Sequence, residues 1–170
     1  KINDLINFAK QNNITALGLL DNNLNGVMEF FDSCVANDIK PIIGLKVRIN
    51  DSNYYLYAKN YQGYLELVKI NNKVVLEESV SLSDLRISDI YVVIPYEFKS
   101  DYEELKTIKN INDIYIAYTN LEEKKNLSLV TSNTLFIKEI RCFNSADTVY
   151  LEYLKKIGDN DFEIFNTAYE

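Results

Sequence analysis

Five residues in a row, Asp21-Asn22-Asn23-Leu24-Asn25, form a polar stretch well placed for chemistry. They follow the apolar run Ile14-Thr-Ala-Leu-Gly-Leu-Leu. After them come a helix expected from Gly26 and a second apolar run, Lys40-Pro-Ile-Ile-Gly-Leu-Lys-Val. Strand, loop, helix and strand in that order make a βαβ unit. In barrels and open α/β sheets, catalytic groups collect in the loop beyond a strand's C-terminal end. This loop offers one carboxylate and three amides, and the chain contains no histidine. It has the outline of a site without the usual reagents.

Several chemistries are excluded by composition. A Ser-His or Cys-His nucleophile needs an imidazole that the chain lacks. Zinc sites need closely spaced Cys and His, but Cys34 and Cys142 stand far apart with no CxxC. Phosphate-cradling loops need clustered glycines. The five here (Gly18, Gly26, Gly44, Gly63 and Gly158) match neither GxGxxG nor a P-loop. A carboxylate-only magnesium site through Asp21 and Glu139 is one option. The plainer reading is loop carboxylates that are hydrogen-bonded or paired with Lys and Arg. Thirteen tyrosines could suggest a stacking surface for single strands. However, Tyr54, Tyr57, Tyr91, Tyr115, Tyr150 and Tyr153 fall within expected strands or helical stripes, which makes them core or half-buried positions.

The 170 residues, 47% hydrophobic, suit one domain with a sizeable core. A net charge of −7 argues against a nucleic-acid or membrane-binding face, since phosphates attract clustered Lys and Arg. No apolar run reaches the length of a membrane span. Two reduced thiols and a cytoplasmic setting are expected, because cytosolic chains rarely use disulfides. With Lys1 first and Met28 the sole methionine, the natural start is expected upstream, in a longer protein.

Periodicity supplies the elements that must hold the loop. Ile2, Leu5, Ile6 and Ala9 mark an amphipathic helix, and Val27, Phe30, Phe31, Cys34 and Val35 a second. Strands are predicted over Ala16–Leu20, Pro41–Val47 and Tyr54–Ala58, the last pairing antiparallel after a polar turn at Asn50–Asn53. A helix carrying Leu65, Val68 and Leu67 follows. Strands over Ile90–Ile94, Ile114–Tyr118 and Leu135–Ile137 then alternate with helices. One helix opens on a capping-box signal, Ser100-x-x-Glu103; another spans Leu121–Leu127; the last carries Ala146, Tyr150, Tyr153, Leu154 and Ile157. Such alternation predicts an α/β fold with a mainly parallel sheet, and the short strand count favours a barrel, complete or without its first strand, over a doubly wound sheet.

The runs from Ala16 to Phe31 and Ile39 to Val47 resemble the polymerase-and-histidinol-phosphatase (PHP) domain. The version they resemble stands at the N-terminus of bacterial DNA polymerase III alpha subunits. Tyr55-Leu-Tyr-Ala-Lys-Asn-Tyr-Gln-Gly-Tyr-Leu-Glu-Leu-Val-Lys-Ile, Val80-Ser-Leu-Ser-Asp-Leu and Lys138-Glu-Ile-Arg-Cys-Phe-Asn-Ser-Ala-Asp147 agree with it in order. The resemblance implies a distorted (β/α)7 barrel over residues 1–157, with its first strand and His-x-His pair preceding Lys1. Residues 158–170, including Phe162-Glu-Ile-Phe-Asn, resemble the start of a connection toward a polymerase palm.

Active members of that family hold metal ions at the C-terminal ends of the barrel strands with His, Asp and Glu. Against that pattern this chain has Asp21-Asn22 for Asp-His, Lys46 for a ligand Glu, and Glu139-x-Arg141 for Asp-x-His. Cations then stand where metal-facing groups belong. At 4 Å and an effective dielectric of about 20, like charges repel by about 4 kcal/mol. Lys46 and Arg141 are therefore expected to replace the metals and pair with Asp21 and Glu139. The resemblance implies a catalytically silent, structural domain with no cofactor of its own. Its parent chain would carry out DNA-directed DNA synthesis with magnesium in the palm. The implied partners are the polymerase body, DNA through the parent protein and other replisome subunits, with no membrane. Two alternatives are an active metal-dependent phosphoesterase or 3'-5' exonuclease, and a docking module for a replication partner.

Overall fold

The computed structural model describes residues 2–85, 88–108, 113–138 and 140. Its elements run α1 (Ile2–Gln11), β1 (Ala16–Asp21), α2 (Val27–Val35), β2 (Lys40–Ile49), β3 (Ser52–Ala58) and α3 (Tyr61–Val75). They continue as β4 (Ile90–Ile94), α4 (Tyr102–Thr107), β5 (Ile114–Tyr118), α5 (Leu121–Leu127) and β6 (Thr134–Phe136), with 3-10 segments at Leu82–Leu85 and Tyr96–Asp101. Lys1–Leu135 form one compact unit and Phe136–Glu170 a second. The last predicted helix and the expected boundary at 157 lie outside the described residues.

The six strands lie in chain order and make a half-barrel sheet. β1 is parallel to β2 and β4 to β5, while β3 is antiparallel to both its neighbours. The sheet is thus mixed where alternation alone predicts a mainly parallel one, although the antiparallel pairing expected of β3 is present. The physical reason is the hairpin. Ile49 faces Ser52 across the two-residue loop Asn50-Asp51, which is far too short for a crossover. Asn50 adopts a φ of 54°, in the left-handed region that asparagine tolerates.

Residue alternation divides the sheet into two faces. Leu45, Leu56, Val92 and Ile114 are successive partners across four strands, and all are buried. Phe30 and Cys34 of α2, Leu67 and Ile70 of α3, Leu105 of α4 and Leu127 of α5 join the same core. Each fully buried leucine contributes about 2 kcal/mol by leaving water. The opposite face carries the rows Leu20–Gly44–Tyr57–Tyr91 and Lys46–Tyr55–Val93–Tyr115.

Local expectations are corrected in four places. In α2, Val27, Phe30 and Cys34 are buried, but Phe31 and Val35 are exposed. In α3 the buried positions are Gly63, Leu67 and Ile70, while Leu65 and Val68 are only half-buried. The capping box at Ser100 does not form. A 3-10 segment runs through Ser100, the helix begins after Asp101, and no side chain caps it. Tyr54 is buried and Tyr57 and Tyr115 half-buried as expected, yet Tyr91 is exposed. Tyr150 and Tyr153 lie outside the described residues.

Candidate functional site

The loop after β1 sits at the C-terminal end of β1, level with Leu45 of β2, at the mouth of the sheet. Two of its backbone N–H groups are taken by its own side chains. The Asn22 N–H donates to Asp21 Oδ1 at 2.7 Å, and the Asn25 N–H donates to Asn23 Oδ1 at 3.0 Å. These are Asx-type contacts, which asparagine and aspartate use to fold a turn back on itself. Asp21 and Asn22 are both exposed.

Lys46 lies on the other face. Asp21 pairs in register with Leu45, so their side chains share the helix-covered side and Lys46 points away from it. The Lys46 ammonium sits 5.6 Å from the centroid of the Tyr55 ring, its cross-strand partner, in cation–π range. The expected ion pair between Lys46 and Asp21 is therefore not formed. Strand alternation sends the two side chains to opposite faces. Glu139 and Arg141 lie outside the described residues.

On the same face as Lys46, Gly44 lies in close approach to a neighbouring ring. A Cβ there would meet Tyr57 ring carbons at 2.7 and 2.8 Å and the Leu20 side chain at 3.1 Å. The inner face at the mouth is thus filled by an aromatic ring over a glycine and an ammonium over a second ring. A divalent cluster needs converging anionic or imidazole donors. Among the described residues no three His, Cys, Asp or Glu side chains converge. The described donor set does not fit the family's metal cluster.

A second constellation, which sequence reasoning missed, occupies the other end of the sheet. Lys59 follows β3 and ion-pairs with Asp113, which precedes β5; its ammonium also donates to the Ser88 carbonyl at 2.6 Å. It lies 4.9 Å from the Tyr91 ring centroid, and Tyr91 meets Tyr115 edge-on at 6.0 Å. Asn60 caps α3 by accepting the Gly63 N–H at 3.0 Å, and donates to Asp89 at 2.7 Å. The Asn60-to-Gly63 spacing at a helix start was the one local signal for this corner. Contacts spanning 54 residues leave no mark in sequence periodicity.

Two further groups titrate away from their ordinary values. Burial, then the hydrogen bond to Asp101 (2.7 Å) and its charge, push the Tyr54 phenol up. Asp84 is partly buried, which alone would raise it. The Lys73 ammonium at 2.6 Å and the Ser81 N–H and hydroxyl outweigh that and hold it low.

Residues 1–164 match the family described as PHP domain, so the chain belongs to that family. Three similar relatives carry the name DNA polymerase III subunit alpha. The subunit from Ureaplasma parvum is 37% identical over 84 residues, covering 49% of this chain and 9% of the relative. That from Mycoplasma genitalium is 34% identical over 115 residues, covering 63% and 13%. That from Staphylococcus epidermidis is 29% identical over 168 residues, covering 94% and 15%. The chain therefore spans a small part of the relatives it matches. No described helix is long and apolar enough to cross a membrane.

Proposed function

We propose that this chain is the PHP domain of a DNA polymerase III alpha subunit whose metal site has been lost, and that its role is structural. It would act as a scaffold packed against the polymerase body, which extends a primer on a DNA template with palm-bound magnesium. The observation that carries this reading is Lys46, whose ammonium lies over the Tyr55 ring where the family places a ligand carboxylate. Asp21, the nearest carboxylate of the old motif, is turned to the other face and spent on its own loop. None of the 170 residues is a histidine.

The test is elemental analysis of the purified chain after dialysis against manganese and zinc, joined to phosphoesterase and exonuclease assays in both metals. Substoichiometric metal and no turnover above a chelated control are expected. Stoichiometric metal with chelator-sensitive turnover would overturn the reading in favour of an active phosphoesterase or exonuclease.

A further inference from the structure

The loop after β1 ends in the chain's one Asn-Gly pair, Asn25-Gly26; every other asparagine precedes a residue with a side chain. The Leu24 carbonyl accepts the Val27 N–H at 3.3 Å, so the pair fills the two central positions of a turn leading into α2. Both residues are exposed. The Asn23 side chain takes the N–H of Asn25, not that of Gly26. Among the described residues, neither the Asn25 side-chain amide nor the Gly26 N–H has a hydrogen-bond partner. Asn60 and Asn120, by contrast, are spent as helix caps that accept from Gly63 and Glu123. Gly26 has φ −92° and ψ 2°, open to any residue, and a Cβ built on it would meet nothing within 4 Å. The fold does not need a glycine there, yet its unhindered nitrogen adjoins an unengaged side-chain amide.

We propose that Asn25 is a deamidation site, modified by its own backbone with water as the co-reactant. The Gly26 nitrogen, on losing its proton, attacks Asn25 Cγ; the N–Cγ bond forms, the Cγ–Nδ2 bond breaks, and ammonia leaves with a proton. Water then opens the succinimide ring at one of its two carbonyls. Opening at Cγ gives aspartate. Opening at the backbone carbonyl gives isoaspartate, whose main chain runs through Cβ and Cγ and is one methylene longer. Either product gives the loop a second carboxylate beside Asp21. Aspartate keeps the backbone length and sets its charge before the first turn of α2, where a negative group is favoured. Isoaspartate lengthens the turn that seats Val27, which is only 3% exposed, and so loosens the start of α2. This goes beyond the scaffold reading and does not depend on the state of the metal site.

The test holds the purified chain at mildly alkaline pH and follows each asparagine by peptide mapping with tandem mass spectrometry, with the chain unfolded in guanidinium as the reference. A gain of about 1 Da at Asn25 is expected, with isoaspartate in excess of aspartate. It should outpace every other asparagine and run within about tenfold of the unfolded rate, since the turn is exposed and its reacting groups are unengaged. Gly26→Ala should slow it about tenfold or more, because a Cβ crowds the attacking nitrogen. Circular dichroism confirms that this variant is folded. Asn25→Gln, whose longer side chain disfavours ring closure, should abolish the gain. The isolated isoaspartyl form should unfold at lower urea than the parent, while Asn25→Asp should match the parent. Slower reaction of the folded chain than that limit, gains spread evenly over the asparagines, or a rate indifferent to Gly26→Ala overturns the proposal. So does an isoaspartyl form as stable as the parent.

Discussion

Two lysines rest on tyrosine rings at opposite ends of one sheet, and their surroundings differ sharply. Lys59, at the end where β4 and β5 begin, is held by a carboxylate, a backbone carbonyl and the Tyr91 ring. Lys46, at the mouth, has the Tyr55 ring and, among the described residues, no ion pair. The glycines repeat the contrast. A Cβ on Gly63 would overlap the Asp89 carbonyl oxygen of the backbone, whereas one on Gly44 would press on the side-chain ring of Tyr57. One end is a locked corner joining β3, α3, β4 and β5. The other is held by side-chain contacts alone, a ring over Gly44 and an ammonium over Tyr55. The long-range polar ties of Lys59 and Asn60 lie at that corner and not at the mouth.

That contrast can be broken by substitution. Gly63→Ala should destabilise most, by about 3 kcal/mol, because backbone must shift; Gly44→Ala should lose about 1 kcal/mol, since a ring can tilt away. Urea midpoints measure both, and equal losses would erase the distinction between the ends. Next, Lys59→Met strands a part-buried Asp113 and should lose about 2 kcal/mol, while Lys46→Met should stay within about 0.5 kcal/mol of the parent.

Titration gives a smaller effect. The unfolded Tyr54 phenol ionises near pH 10, while the folded one holds its proton to higher pH. Its contribution is therefore fully present below about pH 10 and is lost as pH rises beyond it. Tyr54→Phe should lower stability by about 1.5 kcal/mol at pH 7 and flatten the alkaline limb. Asp84 works in the opposite direction. Its contribution is present above about pH 4 and is lost as pH falls through its depressed folded value, so Asp84→Asn should flatten the acid limb. The smallest response is expected of Lys46→Glu. A carboxylate at this position alone should produce no manganese binding by calorimetry, because Asp21 faces the other side of the sheet. Tight binding would show that the mouth needs only one added donor to hold a metal.

Much of the scaffold was legible because period-2 and period-3.6 patterns are local properties. Ile6 and Ala9 of α1, the strands at Ala16, Ile90 and Ile114, and the β3 hairpin all lie where the residues put them. The failures share one cause, dependence on neighbours. In α3, Leu65, Leu67, Val68 and Ile70 give two overlapping stripes, and only packing on β3 chooses Leu67 with Ile70. Phe31 and Val35 extend the α2 stripe beyond the core, because the helix that would cover them is not supplied by the hairpin. Asp21 and Lys46 were matched by charge, but strand register decides which side each faces. Ser100 and Glu103 carry a capping signal that a preceding 3-10 turn overrides.

Cys34 is fully buried beneath α2, and burial pushes its thiol up. An alkylating reagent can reach it only while α2 lifts from the strands, so its labelling reports how often that layer opens. In a Cys142→Ser chain this one sulfur becomes a clock.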